Sequence, residues 1–159
     1  MKLDELIYER TDDMTVLSDF YCGIQDMDIF IHNNLQEAIL REGLISYLVK
    51  YEDEILAVFS ICDNVLKTKR TSGEVVNYST IEIEYLAVRD IYRNKGIGRA
   101  IIEHIVSNYM YGKKLLTVSA YIDIDTKYSA EPFYARCGFV RIGNPPHALA
   151  ECVRMIRFL

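Results

Sequence analysis

Apolar and polar positions alternate along this chain with two periods, near 2 and near 3.6, and the switches between them predict its elements. Leu6–Arg10 predicts a short strand, broken by Thr11-Asp12-Asp13. Ile29, Phe30, Leu35, Ala38 and Ile39 share one helical face, so a helix is expected from Asp26, which would cap it, to Arg41. Gly43 follows as a stop signal. Leu44–Tyr51 and Ile55–Cys62 predict a hairpin around Glu52-Asp53-Glu54. The polar stretch Asp63–Ser79 is expected to be a loop, and Thr80–Val88 a strong strand. Gly96–Met110 predicts a helix with a stripe of Ile97, Ile101, Ile102, Ile105, Val106 and Tyr109. Leu115–Ile122 predicts a strand and Ser129–Cys137 a short helix, which carries Pro132 in its first turn, where no amide partner is lost. Phe139–Ile142 and Cys152–Phe158 close the chain as strands. The order β-α-β-β-β-α-β-α-β-β predicts an α/β fold with a mixed sheet.

The chain has 159 residues, 50% apolar and 26% charged, which suits a single domain spanning residues 1–159. No apolar run approaches the ~18–20 residues that cross a bilayer. The acidic start Met1-Lys2-Leu3-Asp4-Glu5 lacks the apolar core of a signal peptide, so a cytoplasmic protein without membrane contact is expected. Cys22, Cys62, Cys137 and Cys152 form no CxxC pair and lie at no metal-ligand spacing from His32, His104 or His147. They are expected to be reduced and mostly buried, with no metal bound. Net charge is −5, against a dedicated nucleic-acid binder. It is unevenly spread: residues 1–80 carry 7 Lys/Arg and 15 Asp/Glu, residues 81–159 carry 11 and 8.

The most informative segment runs from Ile81 through Arg93-Asn94-Lys95-Gly96-Ile97-Gly98-Arg99-Ala100. A strand leads into a glycine turn that opens a helix. The first amides of a helix have no internal partners and, with the helix dipole, attract anions. Glycines let a phosphate approach the backbone, and Arg93, Lys95 and Arg99 add positive charge. A dinucleotide fingerprint is excluded because Ile101 stands where its third glycine belongs. A Walker A loop is excluded because Gly98 precedes Arg99-Ala100 rather than Lys-Ser/Thr.

Arg-x-x-Gly-x-Gly after a strand resembles motif A of the GCN5-related N-acetyltransferase (GNAT) superfamily. Ala130-Glu131-Pro132-Phe133-Tyr134-Ala135-Arg136-Cys137-Gly138-Phe139 resembles a second signature of that family, Ala-x-x-Phe-Tyr-x-x-x-Gly-Phe. The resemblance covers roughly residues 80–142. It implies a GNAT fold, with a central mixed sheet of about six to seven strands splayed in the middle and flanked by helices. It also implies acetyl-CoA as donor. Its pantetheine arm would pair with the backbone of Leu86, Ala87 and Val88. Its pyrophosphate would lie on the turn formed by Arg93, Asn94, Lys95, Gly96, Ile97, Gly98, Arg99 and Ala100. One departure is Lys127, which stands where many members carry Asn.

Transfer to an amine requires a base, oxyanion donors and an acid for the departing thiolate. Tyr134 is the expected acid, as the matching tyrosine often is in the family; otherwise it is one of 12 tyrosines packing a short helix. Glu82 and Glu84 alternate with apolar neighbours and point to one strand face. Either is a candidate base, beside a water chain or a purely structural role for both. The Val88 amide is the expected oxyanion donor. Cys137 has no adjacent histidine to activate it, which argues against a covalent route.

The expected function is acetyl transfer from acetyl-CoA to a primary amine of a small molecule, peptide or protein, by direct attack. Two alternatives stand beside it. Phe20-Tyr21-Cys22-Gly23-Ile24-Gln25-Asp26-Met27-Asp28-Ile29-Phe30 resembles the Phe-x-Cys-Gly-x-x-x-Leu-Asp-x-Phe start of toxin-type GNAT proteins, which acetylate charged tRNA. The acidic first half weighs against that acceptor, since only Lys67, Lys69 and Arg70 cluster there. The other alternative is a non-catalytic acyl-CoA sensor, which would need neither Tyr134 nor a carboxylate near the thioester. Homodimers are common in the family, and neither a homodimer nor an antitoxin partner is readable from these residues.

Overall fold

Strands Ile7–Arg10 (β1), Ile45–Tyr51 (β2), Glu54–Lys69 (β3), Val75–Val88 (β4), Leu115–Asp123 (β5), Tyr128–Ser129 (β6), Val140–Arg141 (β7) and Cys152–Phe158 (β8) form one mixed sheet. Its order is β1-β2-β3-β4-β5-β8-β7, with β6 on β5. The helices are Gln25–Asn33 (α1), Leu35–Glu42 (α2), Ile97–Asn108 (α3) and Glu131–Arg136 (α4). The structure, a computed structural model, describes residues 1–123, 126–142 and 152–159. His147 lies outside them.

The α/β class, the mixed sheet and most elements are as expected, but four expectations need correction. The helix expected over 26–41 is two helices, broken at Asn34, whose ψ of −24° and φ of −126° depart from helical values. The break re-phases the apolar stripe: Ile31, Leu35 and Ile39 are buried, while Ile29 is 47% exposed. Asp26 lies inside the first turn rather than capping it. The expected loop 63–79 is the outer part of a long hairpin, turning at residues 70–74 through the Arg70 amide bonded to the Glu74 carbonyl at 2.8 Å. Its strands carry polar residues on both faces, so no period-2 pattern marks them; cross-strand pairing holds them in place. The short helix begins at Glu131, because Ser129 pairs in β6. Among the described residues seven strands run across the sheet from β1 to β7, in keeping with the expected mixed sheet, and the two-residue β6 adds to β5.

The chain divides into two compact units, Met1–Cys62 with Glu84–Ile101, and Asp63–Ile83 with Ile102–Leu159. In the first, β1, β2 and β3 pair antiparallel. Its core joins Leu17, Phe20, Ile31, Leu35, Leu48, Val58 and Tyr85, among others. Ser46, Ser60 and Tyr85 form a buried polar network within this unit, the Tyr85 hydroxyl lying 2.9 and 2.7 Å from the two serine oxygens. Burial raises Tyr85 to about 12.

In the second unit β5 pairs antiparallel with β8, which pairs with β7. Leu116, Val118, Ala120, Val153 and Met155 are buried along these strands. The parallel pairing of β4 with β5 joins Ile81–Ile83 to Leu116–Val118, and β4 continues beyond it to Val88. All four cysteines are free, but only Cys22 and Cys137 are buried; Cys62 and Cys152 are half-buried.

Candidate active site

β4 delivers Leu86, Ala87 and Val88 to the start of the glycine turn. Ala87 is buried, and its two neighbours are half-buried. Arg89 then anchors the chain, its amide donating to the Leu56 carbonyl at 2.8 Å and its Nε to that of Ile55 at 2.9 Å. A single 3-10 turn follows at Asp90–Tyr92. Asn94 and Gly96 take left-handed φ of 59° and 85°, reversing the chain ahead of α3. The left-handed φ at Gly96 selects glycine, and a Cβ there would also press on the Leu3 side chain at 3.1 Å. α3 starts at Ile97, and the amides of Ile97, Gly98 and Arg99 lack intrahelical acceptors.

The side chains around this turn divide into two groups. Lys95 and Arg99 are exposed. Arg93 instead donates through Nη2 to the Cys22 carbonyl. Its guanidinium holds the N-terminal segment, a use that the turn's sequence did not announce.

Glu84 belongs to the first unit, is exposed, and accepts a bond from the Cys62 thiol at 2.8 Å. Glu82 belongs to the second unit and is held differently. Its side chain is only 12% exposed, accepts from Asn64 Nδ2 at 2.6 Å, and lies 3.3 Å from the Arg154 guanidinium. Neither partner was foreseen. Arg154 is far from Glu82 in sequence, and no local pattern links the two.

Tyr134 lies in α4, also in the second unit, with only 6% exposure. The rings of Phe133 and Phe139 meet it edge-on at centroid distances of 4.9 and 5.4 Å. The amides of Cys137 and Phe139 donate to its carbonyl, each at 3.0 Å, closing the turn at Gly138. Burial drives its hydroxyl pKa well above the ordinary value of 10, reinforced by Tyr128 and Cys137 nearby. The group is therefore fully protonated at neutral pH. Lys127 is exposed and has a left-handed φ of 60°.

A family model described as the acetyltransferase (GNAT) domain matches residues 42–141. The chain belongs to the GNAT acetyltransferase family. No curated protein matches it. Among solved structures, a Tyr-to-Phe mutant of the AtaT toxin is 18% identical, with a TM-score of 0.71, covering 95% of this chain and 89% of that one. AtaT complexed with acetyl-methionyl-tRNAfMet is 19% identical, with a TM-score of 0.67, covering 94% and 93%. The KacTA–DNA complex is 16% identical, with a TM-score of 0.66, covering 94% and 91%. This GNAT chain thus shares its fold, nearly end to end, with AtaT, which is described as a toxin. Among the described residues no helix is long and apolar enough to cross a membrane.

Proposed function

We propose that this GNAT protein transfers the acetyl group of acetyl-CoA to the amino group of a charged tRNA. The observation that carries the reading is the segment Phe20–Phe30, which resembles the start of toxin-type GNAT proteins. Each residue matching that pattern has a definite place here. Phe20 and Cys22 are buried, Gly23 takes a φ of 84°, Asp28 accepts from the Cys22 and Gly23 amides, and Phe30 packs edge-on against Tyr85 at 5.6 Å. The shared fold with AtaT, which is described bound to an acetylated aminoacyl-tRNA, supports the same reading.

The donor site in this proposal is the backbone of Leu86–Val88 for the pantetheine arm and the turn Arg93–Ala100 for the pyrophosphate. The acceptor amine, once deprotonated, attacks the thioester carbonyl. The Val88 amide stabilises the oxyanion, the carbon–sulfur bond breaks, Tyr134 gives its proton to the CoA thiolate, and the proton shed by the newly acylated nitrogen restores Tyr134 directly or through water. We assign the base to Glu84, directly or through water. Glu82 is committed to Asn64 and Arg154, and an ion-paired carboxylate is a weaker base.

The reading first expected from the sequence, a cationic small-molecule or peptide amine, keeps one observation in its favour. The first unit carries eight Lys/Arg against fifteen Asp/Glu, a net −7, whereas the second carries ten against eight, a net +2. An acidic surface attracts protonated amines and repels a polyanion. Release of CoA thiol across a panel of amines that includes charged tRNA separates the two. The proposal expects turnover with charged tRNA; turnover confined to cationic amines would replace it with the second reading.

A further inference from the structure

Residues Asp19–Gly23 form a strap bonded through three carbonyls to Arg89–Arg93, the stretch that leads into the glycine turn. The Asp19 carbonyl accepts from Arg89 Nη1 at 3.2 Å, and the Arg89 guanidinium lies 5.2 Å above the Phe20 ring. The Tyr21 carbonyl accepts from the Asp90 amide at 3.0 Å, and that of Cys22 accepts from Arg93. The Phe20 carbonyl is 2.7 Å from His32 Nε2. Four successive strap carbonyls are thereby taken.

The donors on the strap point the other way, to a single carboxylate. Asp28 Oδ1 accepts from the Cys22 amide at 2.7 Å, and Oδ2 from the Gly23 amide at 3.2 Å. The peptide group joining Cys22 to Gly23 is therefore bonded at both ends, its N–H to an anion and its C=O to a cation. Each charge polarises the group toward the other, which strengthens both bonds. Gly23 closes the arrangement: a Cβ there would lie 3.4 Å from both Arg93 Nη2 and the Asp90 Cβ, at a φ of 84°.

We infer that Asp28 is a positioning residue for the donor site: through the Cys22–Gly23 peptide it fixes Arg93, and with it the backbone of the turn that receives the pyrophosphate. The inference rests on the acetyl-CoA reading above. A turn that binds through its amides works only if those amides are held in one orientation, and Arg93 is its first residue. Asp28 touches none of the reacting atoms. Its effect falls on affinity for the donor and leaves the chemical step alone.

The test measures the Kd of acetyl-CoA and the KM–kcat split in the full chain, well below its melting temperature. There, a purely global loss of stability leaves the binding of folded molecules unchanged. Asp28→Asn and Gly23→Ala, which strains the strap without altering charge, are both expected to weaken acetyl-CoA binding about 3- to 30-fold, with kcat at saturating donor near the parent's. Val153→Ala, a cavity in buried β8, is the matched control: it lowers the melting temperature and keeps the parent's Kd. Parent-like affinity in both strap variants overturns the inference. So does a kcat loss at unchanged Kd. A parent that binds no acetyl-CoA sinks the donor reading itself, and the inference with it.

Discussion

Burial makes a Tyr134 phenolate costly, so the hydroxyl holds its proton more tightly than a free tyrosine does. In the proposed mechanism the transfer of that proton to the leaving thiolate is uphill and is completed by the proton that the acceptor nitrogen sheds. Tyr134→Phe preserves the ring and its edge-on contacts while removing the hydroxyl proton. It is expected to lower kcat by about 10²–10³-fold with little change in the Kd of acetyl-CoA, as comparison of steady-state rates with direct donor titration will show. The same physics predicts alkaline instability. Burial raises the Cys22 thiol to about 12, from an ordinary value of about 8.5. A group that holds its proton more tightly when folded contributes stability that is complete below its unfolded pKa and is lost as pH rises through the folded one. Melting temperature should therefore fall from about pH 9 upward. Cys22→Ala should flatten that slope between about pH 9 and 11, where the unfolded thiol has ionised and the buried one has not. A slope identical to the parent's would remove Cys22 from the account. At this scale Tyr134 and the glycines were legible, because a compact local motif names them. Arg154 beside Glu82, and Asn64 in β3 bonded to Glu82 in β4, were not: their partners are set by strand pairing across long separations.

The glycine turn is the element that makes this fold a candidate for phosphate binding. Gly98→Asp places a side chain and a negative charge where the anion would lie. It should abolish the rise in melting temperature that acetyl-CoA gives the parent through linkage. A folded variant that acetyl-CoA still stabilises to the parent's extent would contradict the turn assignment. The turn could be read from sequence because it depends on spacing and backbone, not on a distant partner. The hairpin of β3 and β4 could not, since Asp63, Asn64, Lys67 and Lys69 look like loop residues until their cross-strand partners are known. The single helix expected over 26–41 failed for a related reason: Asn34 breaks it, and one face was drawn through a register change. The long hairpin places Lys67, Lys69 and Arg70 near its tip, with Glu74 3.5 Å from Arg70. If charged tRNA is the acceptor, Lys67→Glu with Lys69→Glu should weaken tRNA binding and reduce its salt slope by about two contacts, while free amines are unaffected.

Across the whole molecule, charge sets the terms for the acceptor. Two units of opposite net sign make the total of −5 a poor guide to any one surface. The fold is shared with AtaT over 95% of this chain at 18% identity. A polyanionic acceptor held by several phosphate contacts would lose affinity steeply with salt, whereas a small cationic amine would lose little. Composition alone favours the amine, whereas the proposed acceptor is a charged tRNA. The decisive measurement follows the acetyl group itself. Purified protein is incubated with isotopically labelled acetyl-CoA, a pool of charged tRNA and a panel of cationic amines together, and the products are resolved by mass spectrometry after the aminoacyl ester is released. Label is expected on the α-amino group of a tRNA-borne amino acid, absent with uncharged tRNA and strongly reduced by Tyr134→Phe. Label on the free amines with none on the aminoacyl fraction would contradict it.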